Sequence, residues 1–148
     1  MRVWIKENEK IKSDEVGLVC YKTDERIKNI ASYIKGIEKD ELTAKDEDKV
    51  YKVALNDVYY FESIDKKTFV YLKDKVLETS LRLYEIEEKY TDKMIFRAGK
   101  SIIVNLKHIF SASPMLNRNL LVTMKNNEKI IISRRYVKDF NLMIGMGR

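Results

Sequence analysis

Three short polar segments carry side chains suited to gripping a polyanion. Asp65-Lys66-Lys67-Thr68 separates two apolar runs, as the tip of a hairpin does, and Arg97-Ala98-Gly99-Lys100-Ser101 separates two more. Ser133-Arg134-Arg135 stands where an apolar run gives way to a helical pattern. Lysine offers a point charge and serine or threonine a hydroxyl, whereas arginine presents a planar fork that fits a phosphate or the edge of guanine bidentately. A helix that begins just beyond these arginines also brings free backbone N–H groups near an anion. Gly99 is expected to relax the backbone so that Lys100 and Ser101 can present their charge and hydroxyl. Each segment alone is an ordinary surface feature; their occurrence together is the signal.

Catalytic chemistry finds little to work with. His108 is the only histidine and Cys20 the only cysteine, so a nucleophile and base would have to be assembled around single residues. His108 follows Lys107 in a strand-like stretch and reads as a partly exposed structural residue. Glu85, Glu87 and Glu88 lie among Arg82 and Lys89 and read as a solvated helix face. Neither glycine-rich phosphate loop is present, with only five glycines in the chain. One cysteine builds no disulfide within the chain and no thiolate zinc site. The expectation is a protein that is not an enzyme and has no cofactor, metal or small-molecule substrate.

The distribution of charge supports a polyanion partner. The 148 residues carry a formal net charge of +6. Residues 1–92 hold 18 Lys+Arg against 21 Asp+Glu, a net −3, whereas residues 93–148 hold 11 against two, a net +9. A basic end can equally dock an acidic neighbour, so a protein-interaction module bound to an acidic or membrane-bound partner is the alternative reading. No apolar stretch approaches the ~20 residues of a membrane span, and the N-terminus has no signal-peptide core, so a cytoplasmic location is expected.

The elements that must position these segments follow from periodicity. Residues 16–21 form an apolar run that reads as a strand with Cys20 as a small buried hydrophobe. Thr23-Asp24-Glu25 then offers a helix cap, and Ile27, Ile30, Ala31, Ile34 and Ile37 recur on one helical face. Residues 1–45 thus read as a short β/α segment, with residues 38–49 as a polar connector and the main domain at 46–148. The isoleucine stripe serves packing, dimerisation or regulation. Nine short strands are expected at 50–55, 58–64, 69–72, 76–79, 94–97, 102–104, 109–112, 120–125 and 129–133. Helices are expected at 81–90, capped by Ser80, and from Tyr136 onward. The fold class is therefore α+β and mostly β, an antiparallel domain with small flanking helices.

Four stretches together resemble a known family. They are Asp57-Val58-Tyr59-Tyr60-Phe61-Glu62-Ser63, Leu81-Arg82-Leu83-Tyr84-Glu85-Ile86-Glu87, Phe96-Arg97-Ala98-Gly99-Lys100-Ser101-Ile102-Ile103-Val104-Asn105 and Ile132-Ser133-Arg134-Arg135-Tyr136-Val137. In order and spacing they resemble the LytTR family of bacterial DNA-binding domains over residues 49–146. The resemblance implies a transcriptional regulator that inserts loops, rather than a recognition helix, into successive major grooves of double-stranded DNA, as a homodimer on repeated half-sites. Carried onto this sequence, the contact residues are Lys66, Lys67, Thr68, Lys100, Ser101, Arg134 and Arg135, with Lys107 added as a further cation. Lys66, Lys67, Lys100 and Lys107 are expected on phosphates, and Arg135, with Arg134 and Thr68, on bases. Asn105 and Ile102 are expected to organise their strand. Family members often carry His or Asn just before the serine, where this chain has Gly99-Lys100, so base preference does not transfer.

The resemblance also bears on regulation. Many relatives carry a phosphoacceptor receiver, for which forty-odd N-terminal residues are too few. The expectation is the stand-alone branch without a receiver domain, whose members are often restrained by a small multi-span membrane protein.

Overall fold

The computed structural model describes residues 1–12, 15–37, 40–91 and 94–145. The chain divides into two compact units, Met1–Lys39 and Asp40–Arg148. In the first, helix α1 spans Glu25–Ile37. Asp24 caps it by accepting the Ile27 N–H at 2.9 Å, and Glu25 in the first turn and Lys35 in the last both complement the helix dipole. Ile27, Ile30, Ala31 and Ile34 are half-buried along one face. The strand expected at 16–21 does not form. The segment is irregular and exposed, Cys20 with it. A strand needs a neighbour to satisfy its backbone, and among the described residues this unit contains none.

The second unit opens at Asp40 because the charged stretch read as a connector contains a strand. β1 (Glu41–Asp46) pairs along its whole length with β2 (Lys49–Ala54), and its buried Leu42 and Ala44 alternate with exposed polar residues. The remaining strands are β3 (Tyr60–Ile64), β4 (Lys67–Tyr71), β5 (Val76–Thr79), β6 (Ile95–Gly99), β7 (Ile102–Asn105), β8 (Ile109–Pro114), β9 (Leu120–Met124) and β10 (Lys129–Ile132). Helix α2 covers Leu83–Lys89 and α3 Arg134–Met143, and short 3-10 turns occupy Leu55–Asp57 and Leu106–His108. Seven strands form one antiparallel sheet in the order β2-β1-β5-β4-β3-β7-β6, and three form a second in the order β10-β9-β8. The expected antiparallel, mostly β architecture is what the chain adopts.

The tight connections use the residues that tolerate them. Asp65 and Lys66, at φ 50° and 67°, make a two-residue turn that closes the β3–β4 hairpin directly onto the Ile64–Lys67 pair. Asn127, at φ 70°, does the same work at the β9–β10 tip. The cap of α2 is not Ser80 but the residue two places on: the Arg82 N–H donates to Glu85 Oε1 at 3.0 Å.

Two hydrophobic clusters hold the unit together. In the first, Leu83 and Ile86 of α2 cover Phe61, Val70, Leu77 and Ile103 of the large sheet. In the second, Val122, Met124, Ile130 and Ile132 of the small sheet meet Ala98 and Val104 of the large one and Phe140 of α3, which packs edge-on against Phe96. Burying each of the larger of these side chains contributes about 1.5–3 kcal/mol. β7 serves both clusters, because successive side chains of a strand point to opposite faces: Ile103 enters the first and Val104 the second.

Candidate nucleic-acid interface

The large sheet brings the three polar segments to one end of the unit. β3 lies antiparallel beside β7, with Glu62 opposite Ile102, and the ladder continues as the Ser63 N–H donates to the Ser101 carbonyl at 2.8 Å. The turn after β3 and the turn before β7 are thereby neighbours. Ser133, just before α3, donates its N–H to the Ala98 carbonyl at 2.9 Å, which adds the third segment beside Gly99. Hydrophobic periodicity gives no hint of this meeting, which depends on pairings between distant strands.

Within this group Lys66, Lys67, Lys100, Ser101, Arg134 and Arg135 are exposed. Arg134 and Arg135 occupy the first turn of α3, where unpaired N–H groups and the positive end of the dipole favour an anion. The first N–H of that turn is already taken, since Arg134 donates it to Asn119 Oδ1 at 2.9 Å. The bond also ties in the exposed β8–β9 tip, which carries Arg118 at φ 68°.

Two expected contact residues lie elsewhere. Thr68 is only 3% exposed, because the turn ends at Lys66 and Thr68 is already the second residue of β4, facing inward. Lys107 follows β7 rather than preceding it, at the opposite end of that strand from Ser101, and its Nζ donates to Asn56 Oδ1 at 2.7 Å. His108, beside it, stacks on Tyr59 with ring centroids 4.1 Å apart and bonds to the Asn56 carbonyl, which is a structural role. Asn105 is buried and organises its strand end: its side chain donates to the Val58 carbonyl at 2.8 Å and accepts the Lys107 N–H at 3.1 Å.

Three supporting residues escaped the sequence reading. Arg97 donates through Nε to the Gly99 carbonyl at 2.8 Å and through Nη2 to the Lys100 carbonyl at 2.7 Å, while its Nη1 pairs with Glu87 of α2. Arg82 donates to the Lys66 carbonyl at 2.7 Å. Asn119 holds the start of α3, as described. Arginine two residues ahead of a glycine turn is the one local signal among these; the other two partners are 15 and 16 residues apart in the chain. Among the described residues no group of three or more His, Cys, Asp or Glu is placed to hold a metal ion, and no helix is long and apolar enough to cross a membrane.

Residues 48–145 match the family model of the LytTr DNA-binding domain. The chain belongs to the LytTR family. Its LytTR domain is similar to a solved LytTr DNA-binding domain from Bacillus cereus, with a TM-score of 0.68 and 29% identity over 72% of this chain and 97% of that one. Among curated proteins it is similar to the sensory transduction protein LytT of Enterococcus faecalis, 28% identical over 112 residues, or 76% of this chain and 46% of that protein. It is also similar to the transcriptional regulatory protein YpdB of Escherichia coli, 27% identical over 108 residues, or 72% of this chain and 44% of that protein. The chain thus covers less than half the length of the curated relatives it matches.

Proposed function

We propose that this chain is a bacterial transcriptional regulator whose LytTR domain binds duplex DNA sequence-specifically, inserting its loops into successive major grooves as a homodimer on repeated half-sites. The observation that carries the reading is the hydrogen-bonded convergence of three cation-bearing segments at one end of the sheet. Narrow β-turn tips fit a groove, and the spacing between them is set by strand register rather than by mobile side chains. Lys66, Lys67 and Lys100 supply phosphate contacts, Ser101 adds a hydroxyl, and Arg135, aided by Arg134, reads base edges. Arg118 on the neighbouring tip adds a further cation to the same end.

A mobility-shift titration at several salt concentrations tests this, using the DNA upstream of the gene against random competitor. The expected result is a preferred site containing a direct repeat, with log affinity falling linearly against log salt. Binding with no preference over competitor at any salt concentration would overturn the reading.

A further inference from the structure

We propose that Arg97 is a positioning residue that holds the Gly99–Lys100 turn in its DNA-binding shape through the backbone and does not itself meet DNA. The proposal rests on the DNA-binding reading of that turn. β6 and β7 shift register between Arg97 and Gly99, so the turn leaves the regular ladder there. Arg97 folds over the shift: Nε donates to the Gly99 carbonyl at 2.8 Å and Nη2 to the Lys100 carbonyl at 2.7 Å. Its remaining arm, Nη1, pairs with Glu87, which neutralises the guanidinium charge, and only 24% of the side chain is exposed. Each of the three guanidinium nitrogens already donates within the protein, so three of its five N–H groups are committed to the turn and to Glu87.

Glu87 gives the clamp its anchor. It sits on α2, whose Leu83 and Ile86 are buried in the first hydrophobic cluster. At the other end of α2, Arg82 donates to the Lys66 carbonyl at 2.7 Å. One helix, anchored in the core by Leu83 and Ile86, therefore braces two of the three DNA-facing segments by their main chain. A turn fixed this way loses little conformational freedom when Lys100 and Ser101 engage DNA, which is the general route by which preorganisation raises affinity. Only the arginine fork reaches two carbonyls and a carboxylate together; a lysine keeps the charge but not the geometry.

The two roles for Arg97 predict opposite behaviour in two variants. In the first measurement, Arg97→Lys and Glu87→Ala are titrated against the preferred site. In the second, backbone order parameters of Lys100 and Ser101 are measured by NMR on the free 148-residue chain, with Ile103 and Val104 as internal reference. As a clamp, Arg97→Lys weakens binding about tenfold, Glu87→Ala weakens it as well, and in both the order parameters of the turn fall while those of the reference residues hold. As a DNA-touching cation, Arg97→Lys keeps affinity within about twofold, and Glu87→Ala, by releasing the guanidinium and removing an anion, tightens binding. Tighter binding by Glu87→Ala, or an unchanged turn in Arg97→Lys, overturns the proposal whatever the affinity of the latter. So does a loosened turn with unchanged affinity. If the wild-type chain itself shows no preference for any DNA, the functional reading fails, while the order parameters still report whether Arg97 holds the turn.

Discussion

Gly99 faces Ser133 so closely that a methyl group on the glycine would lie 3.2 Å from the serine Oγ, and 3.3 Å from Ile102 Cγ2. The glycine was expected to relax the backbone, yet among the described residues the only glycine with positive φ is Gly145. Gly99 is thus required for close approach, where β6 passes the start of α3.

Gly99→Ala should therefore push on the residue that precedes Arg134. Such a contact is tighter than most, so Ser133 must yield by a few tenths of an ångström. The expected cost is about 1–3 kcal/mol in stability. Affinity for the preferred DNA should fall while affinity for random DNA changes little, because α3 is displaced and the surface charge is not. Denaturant titration and mobility shift measure the two effects.

Arg135→Ala should cost about 1–3 kcal/mol on the preferred site and little on random DNA. Lys100→Ala should weaken both and lower the salt slope by about one. Lys107→Ala, at the other end of β7 and bonded to Asn56, should leave affinity within about twofold of wild type at any salt concentration. Equal losses on both DNAs for Arg135→Ala would remove its base-reading role.

Asn105→Leu should destabilise the fold without touching the DNA-facing end. It strands the buried Val58 carbonyl and the Lys107 N–H, which Asn105 now satisfies. Each unsatisfied group costs about 1–3 kcal/mol. The denaturation midpoint should drop with an unchanged slope, and the folded variant should keep its DNA preference.

Alkaline pH should destabilise the domain through Tyr71. Burial first, and then the hydrogen bond it donates to Glu62 at 3.0 Å, push its phenol up to about 12. Tyr60, stacked on it at 4.0 Å, is raised by burial and by Glu128. The folded state holds these protons more tightly than the unfolded chain, whose phenols titrate near ~10. The contribution of Tyr71 is complete below that value and is lost as pH rises through about 12. Glu62→Gln should lower the Tyr71 titration, read as tyrosinate absorbance, and reduce the loss of stability between about pH 10 and 12.

Much of the domain was legible because its strands carry their own pattern. The β-branched and aromatic runs from Val50 to Thr79 become β2 to β5, with clean alternation in β4 and β5, and Asp65-Lys66 and Lys73-Asp74 stand where the chain turns. β1 was hidden because Leu42 and Ala44 are its only buried residues and four of its six positions are polar or charged. Thr68 was misplaced because the turn holds two residues, Asp65 and Lys66, rather than the four expected, so that β4 already starts at Lys67 and Thr68 falls on its inward face. The run at 16–21 had the composition of a strand but no partner. The convergence of the three segments, and the arginines that hold them from behind, depend on which strands pair, which local sequence does not encode.

β7 is a stalk of four residues with the Lys100–Ser101 turn at its tip and a side chain in each hydrophobic cluster. Its amides cannot become free for exchange without opening both clusters at once. Hydrogen exchange there should follow global unfolding, even though the turn it carries lies in water. Tight DNA binding would then slow exchange in β7 by the full linkage free energy, making buried amides of this strand a thermodynamic gauge of occupancy.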